Sequence, residues 1–314
     1  MPKSKEIEVL ERLLKSKNTD DRKFAKIRLA ELNTPKPAEF QWAGLCKVIR
    51  DGDIDKLPAS AFTQANLSEL GVDKETAFHV AAEYGCLDRF PSKLLTHRNL
   101  MRQSQRFGTV LHHAAAFGHL DQIPQAVLTE KNLLVPNKND DPEIGFLGQV
   151  ADIGRATVLH IAALNSRLEQ IDKKFLTEKN VLLACASGDT VVHAAAMVGQ
   201  LNCLPKELLS PRILLSKNIW NGNSALHCAA ENDVLKDVPQ TLLTEANCMA
   251  KNKYDETVFE TAREHECLDQ LLGMELSESV REIVGNDWFE KNKKILQAKA
   301  KLTEAPEHPD VELF

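Results

Sequence analysis

The sequence predicts an all-α solenoid of about six to seven helix-turn-helix repeats with short turn tips, capped by helices at both ends. Three sets of positions predict it. His79, His112, His160, His193 and His227 head successive copies of an apolar-His-x-Ala-Ala phrase, spaced 33, 48, 33 and 34 residues apart. Thr63, Thr96, Thr129, Thr177, Ser210 and Thr244 recur with spacings of 33, 33, 48, 33 and 34 residues, tracking the histidines. Pro58, Pro91, Pro124, Pro205 and Pro239 keep the same register, with Asp172 in the place of a missing proline. A period near 33 residues means stacked units, because one such unit cannot bury its apolar face without neighbours.

Residues 1–34 predict two short amphipathic helices, one carrying Ile7, Leu10 and Leu14, the other starting near Thr19 and Asp20 and carrying Phe24 and Ile27. They end at Thr34-Pro35-Lys36-Pro37, so residues 1–40 read as an N-terminal helical cap. Residues 45–58 align with the repeat but have Cys46 in the histidine place, as an atypical first repeat would. The repeat domain is expected over residues 41–272.

Within one repeat, a polar turn such as Ser187-Gly188-Asp189 supplies the positive φ of a tight reversal. A Thr or Ser then follows (Thr76, Thr109, Thr157, Thr190, Ser224, Thr257), placed to cap the first helix by accepting a backbone N–H. The paired alanines give that helix a flat face which lets the next unit approach. A second helix is expected from Asp121 and its equivalents, with Pro124 in the first turn where its missing N–H costs nothing. Leu-Thr-x-x-Asn-Leu reads as a further capped turn returning to the next tip.

The 48-residue step hides an insertion of about 15 residues within residues 137–155. It carries Ile144, Phe146, Leu147 and Val150, so it either packs back on a neighbouring tip or contacts a partner. Residues 257–272 are a degenerate last copy with Glu260 in the histidine place. Beyond them, residues 273–314 predict a charged helix over 287–302 and an acidic tail.

Composition bounds the function. The chain has 314 residues, 43% hydrophobic and 27% charged, as expected of a globular protein. A net charge of -6 argues against a nucleic-acid partner, which needs a basic face. No apolar run approaches the roughly 20 residues of a membrane span, and the first residues lack the apolar core of a signal peptide. A cytoplasmic protein is expected, and its 7 scattered cysteines read as small buried hydrophobes in a reducing compartment.

Residues 109–118 and 224–230 resemble the ankyrin repeat, Gly-x-Thr-Pro-Leu-His-x-Ala-Ala-x-x-Gly, and the resemblance extends over about residues 41–272. The family's proline after the capping Thr is replaced by Ala77, Val110, Val158, Val191, Ala225 and Val258, and its long apolar second helix is rewritten. The resemblance implies that the repeated histidines are structural hydrogen-bonding groups between adjacent turns. Recurrence supports this, since a catalytic residue is needed once. His112, His113 and His119 lie close in sequence without zinc-ligand spacing, and no phosphate loop or nucleophile elbow is present. No catalytic residue, cofactor or metal is therefore expected.

The resemblance also implies that a protein partner contacts the turn tips and the exposed end of each first helix, along a concave surface. Carried over position by position, this selects Tyr84, Arg106, Phe117, Leu164, Asn165, Met197, Val198, Trp220, Asn221 and Tyr254, with Phe146 of the insertion. Tyr, Trp, Met and Arg are enriched in interface hot spots. The expected function is a non-enzymatic scaffold or adaptor. Alternatives are a structural protein that self-associates through its terminal helices, or an effector delivered into another cell that recruits or inhibits a partner enzyme.

Overall fold

The computed structural model describes residues 5–15, 21–23, 25–26, 29, 41–137 and 154–303. The described residues contain α- and 3-10 helices, with isolated bridges at the turn tips in place of sheet. Among the described residues seven helices head repeats, and the chain divides into two units, Met1–Asn132 and Leu133–Phe314.

In the first unit, the lead helices Trp42–Arg50, Ala77–Glu83 and Val110–Phe117 stack in sequence order. Their small-residue faces make the stack: Ala81, Ala82, Ala114 and Ala115 are all fully buried. The N-terminal helix Lys5–Leu13 buries Leu10, as its spacing predicts. The second expected N-terminal helix, with Phe24 and Ile27, falls largely outside the described residues, as do most of the insertion and the acidic tail.

In the second unit, Val158–Leu164, Val191–Met197, Ala225–Glu231 and Val258–Glu264 stack in the same way, burying Ala162, Ala163, Ala195, Ala229 and Ala230. The short helix Arg281–Val284 packs on the last of these, and Asn286–Thr303 packs on it in turn. The stem of the insertion is pinned here. Asn137 N–H donates to the Ala156 carbonyl at 2.8 Å, and Ala156 N–H donates to Asn137 Oδ1 at 3.1 Å.

The second helix expected from Asp121 does not form. Leu120–Gln122 is a single 3-10 turn, and the equivalent stretch after Ala77–Glu83 is divided into three short pieces. Leu87–Arg89 is a 3-10 turn that stops at Phe90, whose ψ of 145° is the extended conformation forced on a residue before proline. Pro91 opens a second 3-10 turn, Ser92–Leu94, and Thr96 caps a one-turn α-helix, His97–Leu100. The proline ends the incipient helix; it does not sit inside one. Asp172 reproduces the break without a pyrrolidine ring, with φ -59°, ψ 125° and a side chain that accepts the Lys174 N–H at 3.1 Å.

Leu-Thr-x-x-Asn-Leu is the capped turn that its residues predict. Thr96 Oγ1 accepts the Asn99 N–H at 3.3 Å, and Asn99 Nδ2 donates to the Leu94 carbonyl at 2.7 Å. The pattern recurs at Thr63/Asn66, Thr129/Asn132, Thr177/Asn180 and Thr244/Asn247. Each asparagine thus satisfies a carbonyl left open by the broken helix. Side-chain amides also join neighbouring repeats. Gln64 and Asn99 exchange reciprocal bonds of 2.6 and 2.9 Å, and Gln122 accepts from Leu87 N–H at 2.9 Å while donating to the Gly85 carbonyl at 2.8 Å.

Candidate functional site

The histidines belong to the stack. Nδ1 of His193 accepts the Thr190 backbone N–H at 3.2 Å, so the ring proton lies on Nε2, which donates to the Asn223 carbonyl of the next repeat at 3.0 Å. His79 reaches the Arg102 carbonyl at 2.9 Å, His160 the Leu183 carbonyl at 3.0 Å and His227 the Glu256 carbonyl at 3.1 Å. His112 makes the same cap with Thr109. Burial lowers the basicity of His79, His160, His193 and His227, pushing His79 and His160 down to about 4. In the last repeat Glu260 replaces the histidine and completes the cap alone, accepting Thr257 N–H at 2.7 Å. Among the described residues no three His, Cys, Asp or Glu side chains converge as metal ligands.

The turn tips supply the exposed apolar surface. In the second unit Trp220 and Tyr254 are each 67% exposed and lie on consecutive tips. Asn218 holds the first tip: its buried Oδ1 accepts from Asn221 N–H at 3.2 Å and Gly222 N–H at 3.0 Å, while Nδ2 donates to Asp189 at 2.8 Å. Asn252 holds the second, accepting from Tyr254 N–H at 2.9 Å and Glu256 N–H at 3.1 Å. The tips are tied to each other. Lys253 N–H donates to the Asn221 carbonyl at 3.0 Å, and the Lys253 ammonium donates to the carbonyls of Ile219 and Trp220. Gly222, at φ +73°, is required here because a methyl group would overlap Lys253.

The other positions chosen from sequence divide by burial. Leu164, Met197 and Val198 of the second unit are half-buried at the ends of their helices. Asn165 turns back on its helix, donating to the Ile161 carbonyl at 2.8 Å, and Asn221 Oδ1 accepts Asn223 N–H at 3.0 Å, so both amides serve the fold. Ile219, 68% exposed beside Trp220, was not among the expected contacts. Its position in the tip, where Gly222 and Asn221 force a tight turn, is the signal that marks it.

In the first unit Tyr84 is 47% exposed at the end of Ala77–Glu83, and Phe117 is half-buried at the end of Val110–Phe117. Arg106 lies on the adjoining tip, its guanidinium 4.4 Å above the Phe107 ring and 3.6 Å from the Glu83 carboxylate. Val72, 68% exposed, extends this apolar tip surface and also escaped the sequence reading. Phe146 lies outside the described residues.

Residues 159–253 match the family model described as ankyrin repeats (3 copies). No curated protein matches the chain. Among solved structures, it is similar to a chain in the complex of the predatory endopeptidase Bd0816 from Bdellovibrio bacteriovorus with immunity protein Bd3460. That likeness has 22% identity and a TM-score of 0.46, and it covers 65% of this chain and 98% of that chain. No described helix is long and apolar enough to cross a membrane.

Proposed function

Since this is an ankyrin-repeat protein, and such repeats form a protein–protein interaction module, we propose that it is a non-enzymatic adaptor that captures a protein partner on its turn tips and lead-helix ends. One observation carries the reading: Ile219, Trp220 and Tyr254 stand 67–68% exposed on tips whose backbones are locked by Asn218, Asn252 and Lys253. Rigid, exposed aromatic side chains bind with little further loss of conformational entropy, which is why they dominate interface energetics. Leu164, Met197 and Val198 in the same unit, and Tyr84, Arg106 and Phe117 in the first, complete the proposed contact set.

The non-enzymatic part of the reading is supported by the fate of the histidines. Each repeat histidine commits Nδ1 to a cap, and burial lowers the basicity of His79, His160, His193 and His227, which argues against their use as general bases. The test is capture of binding proteins by the full chain and by a Trp220→Ser/Tyr254→Ser variant with an unchanged helix signal in circular dichroism. Loss of capture supports the tips as the site. An identical captured set from both proteins would sink that assignment.

A further inference from the structure

Beneath the Arg106 tip of the first unit lie two ionisable groups that the stacking scheme does not use. Glu75, 5% exposed, follows the 3-10 turn Val72–Lys74, and His113 is a fully buried residue of Val110–Phe117, next to the capping His112. The Glu75 Oε1 atom is 3.9 Å from His113 Nε2. Neither Glu75 Oε1 nor His113 Nδ1 has a hydrogen-bond partner among the described residues. Leaving such atoms unmet in a low-dielectric interior is costly, and sequences retain the arrangement chiefly where it serves something other than stability.

The surroundings connect this pair to the proposed contact surface. The His113 ring packs edge-on against Phe107, with centroids 5.2 Å apart, and Arg106 lies on that same phenyl ring at 4.4 Å. His113 Nε2 also sits 3.3 Å from Ser104 Oγ, which accepts the Phe107 N–H at 3.3 Å. The buried pair, the tip backbone and the exposed guanidinium therefore form one packed column.

We propose that Glu75 and His113 form a buried proton switch under Arg106: a proton taken up by Glu75 removes one of the two carboxylate charges, with that of Glu83, that attract the guanidinium to its tip, and makes Arg106 more available to a partner carboxylate. This rests on the reading of Arg106 as a partner contact. The proton comes from solvent and resides on Glu75 Oε1, whose hydroxyl then faces the neutral His113 ring as acceptor.

Burial and the neighbouring charges set the direction in which each group is shifted. Glu75 is pushed upward mainly by burial; Arg106 of the tip and Arg50 of Trp42–Arg50 oppose this, while Glu83 and Asp73 reinforce it. Cys46, on the same helix as Arg50, is itself raised to about 12, mainly by burial, and stays neutral. His113 is held well below 6.5 by burial first, then by His79, His112 and Arg106. Burial thus shifts Glu75 toward its protonated form and His113 toward its neutral form, and uptake of one proton by Glu75 changes the column by one charge.

The test uses the full chain without a partner, so its failure is separate from failure of the capture experiment. Carboxyl-carbon NMR follows Glu75, and exchange of the Arg106 Nε–H with solvent follows the guanidinium, from alkaline to acidic pH. Glu75 is expected to titrate above the ordinary glutamate value of 4.5, with the protection of Arg106 Nε–H, taken relative to its intrinsic base-catalysed exchange rate, falling over the same pH step. Glu75→Gln should abolish that step and leave protection low throughout. His113→Phe should lower the Glu75 midpoint, because the protonated carboxyl loses its acceptor. A Glu75 midpoint at or below 4.5, or an Arg106 step that persists in Glu75→Gln, overturns the proposal. The wild-type titration decides the matter even where a variant does not fold.

Discussion

The hydroxyl of Thr190 lies 2.8 Å from Nδ1 of His193, three residues on in the same helix turn, and the Thr190 N–H donates to that same nitrogen. One ring thereby satisfies two donors at a helix start, and its other nitrogen satisfies a carbonyl 30 residues ahead. The recurring Thr-x-x-His is a capping box in which an imidazole replaces the usual carboxylate, with the added ability to reach into the next repeat.

His193→Leu removes all three bonds and leaves the buried Thr190 N–H unpaired, while the Asn223 carbonyl keeps the Asn218 N–H at 2.9 Å. A loss of about 2–3 kcal/mol is expected from one orphaned buried donor and the lost bond to the next repeat. Thr190→Ala, which keeps the ring, should cost about 1 kcal/mol. Urea denaturation of the full chain checks both. Equal midpoints for the two variants would mean that the bond to the next repeat contributes nothing.

The same rings make the fold acid-labile. His79 and His160 are held down to about 4 by burial, so the unfolded state takes up protons that the folded state refuses. A depressed histidine leaves stability intact above the unfolded value of 6.5 and removes it progressively as pH falls from there toward about 4. Each of these two rings accounts for about 3 kcal/mol across that window. Urea midpoints measured from pH 7.5 down to 4.5 should fall steadily, and His160→Gln should be less stable at pH 7.5 but shallower in its pH dependence.

Ser166 occupies the position after its lead helix where Gly85 and Gly199 stand in other repeats, and it has φ 55°. A side chain in the left-handed region costs about 1 kcal/mol that glycine does not incur. Ser166→Gly should therefore raise the urea midpoint, by an amount equivalent to about 0.5–1 kcal/mol. A lower midpoint would show that the Ser166 side chain contributes more than its backbone strain costs.

Asn218→Ala should unseat the Trp220 tip. The substitution removes the acceptor of two backbone N–H groups and the donor to Asp189, a loss of about 2–4 kcal/mol. It should also change the tryptophan fluorescence through Trp220, which leaves the fold intact elsewhere. Asn221→Ala, which loses a single bond to Asn223 N–H, should have a smaller effect on both measurements.

Much of this architecture could be read from single repeats. The capping Thr, the paired Ala and the Thr-x-x-Asn turn act within five residues of their own positions, so a periodic sequence declares them directly. The prolines are equally visible in the sequence, but their effect on the backbone differs from the one their positions suggest. The sequence places Pro124 and its equivalents inside the first turn of a helix that begins at Asp121, whereas the extended residue that each proline requires before it ends the turn there. Of the positions proposed as contacts, Tyr84, Trp220 and Tyr254 are exposed, while Asn165 and Asn221 are engaged by the fold.

What the sequence alone determined is therefore the repeat: its period, its caps and its small-residue face, all set by interactions local in the chain. What only the tertiary structure decided is the use of each repeat's remaining atoms. The outer nitrogen of His193 finds its acceptor in the next repeat, Lys253 reaches back to the tip of Trp220, and Glu75 and His113 meet inside a unit although 38 positions separate them. Burial and pairing at those points depend on which side chains a neighbouring layer presents. No periodicity within one layer carries that information.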